Sequence, residues 1–234
     1  MAIADNLSDV RRRMAEAARR SGRSSDEVTL VAVSKTFGAD AVREAWAAGQ
    51  RDFGENKVQE ALQKIEATAD TGMRWHLVGH LQSNKARRAV AAFSTIHSVD
   101  SVRLLETLDA AAAGLTPPAR PDVLVQVDLA GESTKFGAPE EEAIRCVHAG
   151  LKTRALRLVG LMLMPPWNED QEQTRPWFVR LRMFRDKLVR DGVPEEALRH
   201  LSMGMSHDFE AAIEEGSTLV RVGTAIFGKR QVRP

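Results

Sequence analysis

Tyrosine is absent from the 234-residue chain, which removes one common acid–base residue from whatever chemistry the protein performs. There is a single cysteine, Cys146, so no internal disulfide is expected and the composition suits a reducing, cytoplasmic setting. No apolar run approaches the ~20 residues needed to span a bilayer. The N-terminal segment is charged and amphipathic and lacks the apolar stretch of a secretory signal. Neither a membrane nor an export role is therefore expected. The net charge is only +1, so no global field draws the chain to nucleic acid. Arg11, Arg12, Arg13, Arg19 and Arg20 share one predicted helix with Asp9 and Glu16 and read as a solvated face. Lys85, Arg87 and Arg88 form a smaller basic patch. Metal-ligand spacing is also missing. His76 and His80 are four apart, but they fall on a predicted strand interrupted by Gly79, and Leu77 stands where a zinc-protease motif needs glutamate. His97, His148, His200 and His207 are assigned to packing or to the surface.

What the chain does have is a regular alternation of two periodicities. Apolar positions Leu7, Val10, Met14, Ala17 and Ala18 give a helix over 5–21. Strands follow at 29–34, 51–54, 75–78, 95–99, 122–129, 157–162, 200–203 and 219–222. Between them lie helices at 39–49, from Asn56 (a cap, with Gln59 three residues on), from Ser83, from Asp100 or Ser101 to Gly114, from near Pro139, at 171–190 and at 206–215. A short turn at 224–227 follows the last strand. Eight strand–helix units in this length predict a single domain, 1–234, folded as a TIM-type (β/α)8 barrel with an extra N-terminal helix over its bottom or side. A doubly wound open sheet shares the alternation and remains the alternative.

In a barrel, function sits at the carboxyl ends of the strands. Lys35 follows the first strand, whose alternation puts it on the side of Val31 and Val33. Its stem is expected in apolar surroundings with the amine at the strand end. Two readings are open there: a lysine reaching outward to solvent, or a nucleophile deprotonated by burial. An ordinary lysine is neutral in only about one part in 10³ to 10⁴ at pH 7, so the second reading needs burial or nearby positive charge. Ser202, Gly204 and Ser206 follow the seventh strand. Arg221, Gly223 and Thr224 end the eighth and open a short helix. Loops at this place recurrently hold phosphate: glycine admits the backbone closely, and free N–H groups with hydroxyls donate to an anion. The same residues also suit plain turns and caps. A phosphate site beside a strand-end lysine implies a phosphorylated carbonyl ligand, either pyridoxal phosphate or a sugar phosphate. Arg221, always charged, is suited to donate to a pyridine nitrogen without accepting its proton.

The segments LVAVSKTF (30–37), FGENKVQE (53–60), WHLVGHLQSNK (75–85), VDLAGESTKFG (127–137), GLM (160–162), LSMGMSHDF (201–209) and GSTLVRVGTAIFGKR (216–230) occur in order over nearly the whole chain. With them the chain resembles the pyridoxal phosphate homeostasis proteins. That resemblance implies the barrel of the alanine racemase N-terminal domain, with pyridoxal 5'-phosphate as a Schiff base on Lys35. It implies phosphate contacts from Ser202, Gly204, Ser206, Gly223 and Thr224, and Arg221 near the pyridine nitrogen. Asn56 and His80 fall in matching segments at the ends of strands two and three and are expected to line the pocket, with no chemical role assigned. Lys135, in the loop 131–137, reads by default as a solvated loop lysine, with closure over the pocket as the alternative.

Three functions are weighed. The first is a non-catalytic carrier that buffers pyridoxal phosphate and delivers it to apo-forms of dependent enzymes, working as a monomer. The second is a pyridoxal-phosphate-dependent amino-acid racemase or lyase. A racemase of the related barrel type uses a tyrosine from a second domain. The missing tyrosine, and an end at Pro234 soon after the barrel, point away from it. A permanently charged arginine at the ring nitrogen also weakens the ring as an electron sink. The third is a phosphosugar aldolase with a lysine imine.

Overall fold

A computed structural model describes residues 2–131 and 136–228; Lys135 lies outside them. Eight parallel strands close into one barrel in chain order. They are β1 (Thr29–Val33), β2 (Asp52–Glu55), β3 (Arg74–Leu77), β4 (Thr95–Val99), β5 (Asp122–Val127), β6 (Arg157–Leu163), β7 (His200–Met205) and β8 (Leu219–Val222). The last strand pairs with the first, placing Val31 opposite Arg221 and Ala32 opposite Val222. The open-sheet alternative is thereby removed. Outside run α1 (Ile3–Arg20), α2 (Ala39–Ala47), α3 (Val58–Ala67), α4 (Ala86–Ala92), α5 (Val102–Ala113), α6 (Glu140–Gly150), α7 (Arg175–Arg190), α8 (Phe209–Glu214) and the single turn α9 (Thr224–Phe227).

The apolar residues sort into two groups by strand parity. Val31, Val33, Val78, Leu124, Val159, Met162 and Leu219 fill the barrel's interior. The opposite faces, including Leu30, Ala32, Phe53, Leu77 and Val220, pack against the helices. The N-terminal helix lies at the side of the barrel. Its stripe Leu7, Val10, Met14, Ala17 and Ala18 is buried against α2, α8 and α9. In the outer ring α1 packs beside α9, the single turn described after β8. Several of its arginines, read from sequence as a solvated face, serve this packing: Arg13 pairs with Glu210, Arg20 with Glu214, and Arg11 donates to Ala48 O. No helix among the described residues is long and apolar enough to cross a membrane.

Two expected boundaries move in ways that matter below. Asn56 is not a helix cap; Lys57 precedes α3 without a side-chain cap bond, and Asn56 sits in the bend leaving β2. Strand β7 runs on to Met205, two residues past the expected end at 203, so Gly204 as well as Ser202 lies inside the strand.

Candidate functional site

At the carboxyl end of β1 the chain turns immediately. Ser34 N–H still pairs with Gly54 O, and Phe37 N–H then donates back to Ser34 O at 3.1 Å. Lys35 and Thr36 are the two central residues of this turn. Thr36 has φ +72°, a position where glycine or asparagine is usual and a β-branched residue is strained. Lys35 is therefore exposed at the barrel mouth. The expectation of a stem buried among strand residues is corrected: the turn begins one residue before the lysine, at Ser34, and swings its side chain into the open.

Beneath that turn is a buried ion pair. Lys64, from α3, donates to Glu55 Oε1 and, at 2.7 Å, to Ser34 O; Ser34 Oγ donates to the same Glu55 oxygen at 2.6 Å. Glu55 is fully buried and its Oε2 has no hydrogen-bond partner among the described residues. The residue preceding Lys35 is thus clamped from below by a cation and an anion.

The ends of β7 and β8 meet beside it. Ser206 Oγ accepts from the N–H groups of Gly223 at 3.1 Å and Ala225 at 3.3 Å. Gly223 lies so close to β1 that a Cβ there would stand 3.0 Å from Val33 O. Gly204 has φ +93°, and a Cβ on it would come 2.6 Å from Ala212 Cβ; glycine lets α8 pack directly on the strand end. Thr224 is exposed at the start of α9. Lys35, Ser206, Gly223 and Thr224 therefore share the β8–β1 side of the mouth.

Ser202 and Arg221 are inside the barrel. Arg221 is 4% exposed. It donates to Ser202 Oγ at 2.7 Å and to Leu163 O at 2.9 Å. Burial pushes its pKa down to about 10, with the Asp208 carboxylate pulling upward, so it is a cation at neutral pH. Ser202 Oγ, fully buried, also lies 2.8 Å from His97 Nδ1. His97 Nε2 in turn is 3.0 Å from His76 Nδ1, and His76 Nε2 is 3.1 Å from Asp52 Oδ1. Sequence reasoning misses both histidines: it weighs His76 only as half of a zinc pair with His80 and assigns His97 to packing or the surface. The usable signal was parity: His76 shares the inward side of β3 with Val78, as Ser202 and Arg221 share inward positions on their strands.

Asn56 and His80 stand at the next strand ends. Gly79 lies against the Asn56 backbone, so near that a Cβ on it would overlap Asn56 O at 2.3 Å. His80 turns away from Lys35's side of the rim: its Nδ1 is 3.4 Å from Asp100 Oδ2 and its ring stacks on Phe136 at 3.7 Å. At the opposite, amino end of the barrel opens a cavity of about 590 Å3 lined by Asp52, Arg74, His76, Asp122, Arg157 and His200. Its carboxylates are already paired, Asp52 with Arg74 and Asp122 with Arg157.

This barrel, with a lysine at the end of β1 and glycines closing the last two strand ends, defines a known class: residues 2–231 match the alanine racemase N-terminal domain family. Within that class, the chain belongs to the pyridoxal phosphate homeostasis proteins. It is 40% identical over 231 residues to the protein of that name from Aquifex aeolicus, covering 99% of this chain and 100% of that one. It is 44% identical over 228 residues to that from Pseudomonas aeruginosa, covering 97% and 96%. Among solved structures, PipY of Synechococcus elongatus PCC7942 with PLP bound is similar, with a TM-score of 0.84 at 40% identity over 97% of this chain and 100% of that one. Alanine racemase of Clostridium difficile 630 shares the fold, with a TM-score of 0.71 at 17% identity over 95% of this chain and 60% of that one.

Proposed function

We propose that this chain binds pyridoxal 5'-phosphate at the carboxyl end of its barrel, holds it as a Schiff base on Lys35, and serves vitamin B6 homeostasis as a non-catalytic carrier. The observation that carries the reading is Arg221: a buried guanidinium at the end of β8, opposite Val31 of β1, whose hydrogen bonds among the described residues go to a hydroxyl and a carbonyl and to no carboxylate. Such a cation is a donor held ready for an acceptor entering from the mouth. The pyridine nitrogen is that acceptor, which favours pyridoxal phosphate over a sugar phosphate. The donor set around it fits the rest of the molecule. Gly223, Thr224, Ser206 and the strand end at Gly204 would cradle its phosphate, with Gly204 and Gly223 letting α8 and β1 pack close behind them. Ser202 is the one residue of the expected phosphate set best read differently: its hydroxyl is taken by Arg221 and His97, so it supports the ring-nitrogen donor. Asn56 and His80 border the same mouth.

When bound, the cofactor supplies an aldehyde that condenses with a primary amine. Lys35 provides that amine, exposed and within reach of solvent, which suits exchange with the outside and transfer to apo-enzymes. Phe136, Met164 and Trp167, exposed on the segments after β5 and β6, give the rim an apolar edge for such a partner. Arg221 keeps its own proton at neutral pH, so it leaves the ring nitrogen unprotonated and the ring a poor electron sink. With no tyrosine in the sequence, a second base of the racemase kind has no candidate here. The protein is read as a cytoplasmic monomer, with no nucleic acid or metal in its function.

The test is spectroscopic. Titrating purified protein with pyridoxal phosphate should produce a visible absorption band that Lys35→Ala abolishes; no band in the wild type overturns the reading. Lys35-dependent exchange of an amino acid's α-proton in deuterated water would instead favour the racemase or lyase alternative.

A further inference from the structure

The interior of a (β/α)8 barrel is ordinarily filled with branched aliphatic side chains. Here a file of polar groups crosses it, from Arg221 near the mouth through Ser202, His97 and His76 to Asp52 beside the amino-end cavity. Arg74 closes the far end, donating to both Asp52 oxygens, at 2.7 Å from Nε and 2.5 Å from Nη2.

The proton positions follow from donor chemistry. A guanidinium only donates, so Ser202 Oγ accepts from Arg221 and its own proton points to His97 Nδ1. His97 then carries its proton on Nε2 and donates to His76 Nδ1. His76 carries its proton on Nε2 and donates to Asp52. Reversing the imidazoles would set a lone pair of His76 against the Asp52 carboxylate and leave the Ser202 proton without an acceptor. With both rings neutral, only one direction satisfies every link, and it runs from a cation to an anion. The groups facing His97 agree: burial first, then His76 on β3, Arg221 on β8 and His200 on β7, hold its pKa well below the usual histidine value. Satisfied networks of this kind fix a single geometry, while one unmet member is costly.

We infer that His97 and His76 are positioning residues for Arg221, locking its guanidinium through Ser202 so that its remaining donors face the mouth. This rests on the proposed cofactor reading, in which Arg221 meets the pyridine nitrogen. Neither histidine touches a ligand. Their effect reaches the site through Ser202, and the Asp52–Arg74 pair at the opposite end of the barrel anchors it.

Two measurements test this. In the protein without cofactor, ¹⁵N-histidine labelling should reveal a nitrogen–nitrogen coupling across the His97–His76 hydrogen bond, with His97 neutral. Absence of the coupling, or a protonated His97, overturns the inference. With pyridoxal phosphate added, the pH midpoint of the bound cofactor's absorption reports on the ring nitrogen. Arg221→Gln should move it, and His97→Gln and Ser202→Ala should move it the same way, by about one pH unit, a tenfold change in proton affinity. The double variant His97→Gln/Arg221→Gln should move it no further than Arg221→Gln alone, as residues acting in one network are non-additive. Ser202→Ala, the smallest change, keeps the test open if His97→Gln does not fold. A wild type without an absorption band overturns the cofactor reading; a band whose midpoint His97→Gln and Ser202→Ala leave unmoved overturns this one.

Discussion

Replacing Lys64 by methionine is the sharpest probe of how the Lys35 turn is held. Methionine keeps the length and apolar stem of the side chain and deletes the ammonium. In the wild type that ammonium meets Glu55 Oε1 and Ser34 O, and Glu55 is 0% exposed with Oε2 already unpartnered among the described residues. Lys64→Met therefore leaves a buried carboxylate whose remaining partner among the described residues is the Ser34 hydroxyl. Removing one member of a buried ion pair costs about 3–5 kcal/mol, because the other charge stays desolvated and unpaired. At about 2–4 °C per kcal/mol for a chain of this size, Tm should fall by roughly 6–20 °C. Urea unfolding followed by circular dichroism measures the same loss as a lower midpoint with an unchanged slope. The double variant Lys64→Met/Glu55→Leu removes both charges and should recover most of it, since apolar replacement of a whole buried pair is often neutral or better. If Lys64→Met unfolds within about 1 kcal/mol of the wild type, below the buried-pair range, the pair does not clamp the turn and the argument fails.

Thr36→Gly should relieve the positive φ of +72° while freeing the unfolded chain. The two nearly cancel in stability, but bound cofactor should be held less tightly, read from the titration of the absorption band. Acid should destabilise the fold from about pH 6.5 downward. His97, held far below its ordinary pKa by burial, and His200, pushed down to about 4 mainly by burial, stay neutral in the fold while the unfolded chain takes up protons. Stability is thus full above the unfolded histidine pKa and declines as pH falls below it. The raised pKa values of half-buried Asp100 and buried Asp208 act in the opposite sense, so the check is that His97→Gln and His200→Gln flatten the slope of urea midpoints between pH 7 and 5. The Cys146 thiol, pushed up to about 12 chiefly by burial with Glu142 nearby, should resist a thiol-specific disulfide reagent at pH 8 in the native protein and react at once in denaturant. Fast native labelling would contradict its place in the core.

Most of the barrel is legible along the chain because its signals are local. Strand parity in 29–33 separates Val31 and Val33 from Leu30 and Ala32 before any neighbour is known, and the structure places those pairs inside and outside as that parity requires. Lys35 is at the strand end as read, but its exposure depends on a turn whose strained third residue is Thr36, and threonine gives no sign of a left-handed backbone. Ser202 falls within the expected strand 200–203, yet the Ser-Met-Gly-Met-Ser stretch groups it with phosphate donors at the strand end. Pairing with β6 and β8 makes it strand, and that turns its hydroxyl inward to Arg221. The histidine file was illegible for a related reason. Whether His76 meets His97 depends on the register between β3 and β4, which no local pattern encodes. Asn56 failed as a helix cap because β2 continues to Glu55 and Lys57 is left to precede the helix.

The central claim is the proposal that Lys35, exposed at the rim where the ends of β1 and β8 meet, carries the cofactor. Borohydride reduction of the protein loaded with pyridoxal phosphate, followed by proteolysis and mass spectrometry, tests it directly. The account predicts one stoichiometric modification, on Lys35, of the mass of the reduced phosphopyridoxyl group. Stoichiometric labelling of another lysine with Lys35 unmodified would contradict it.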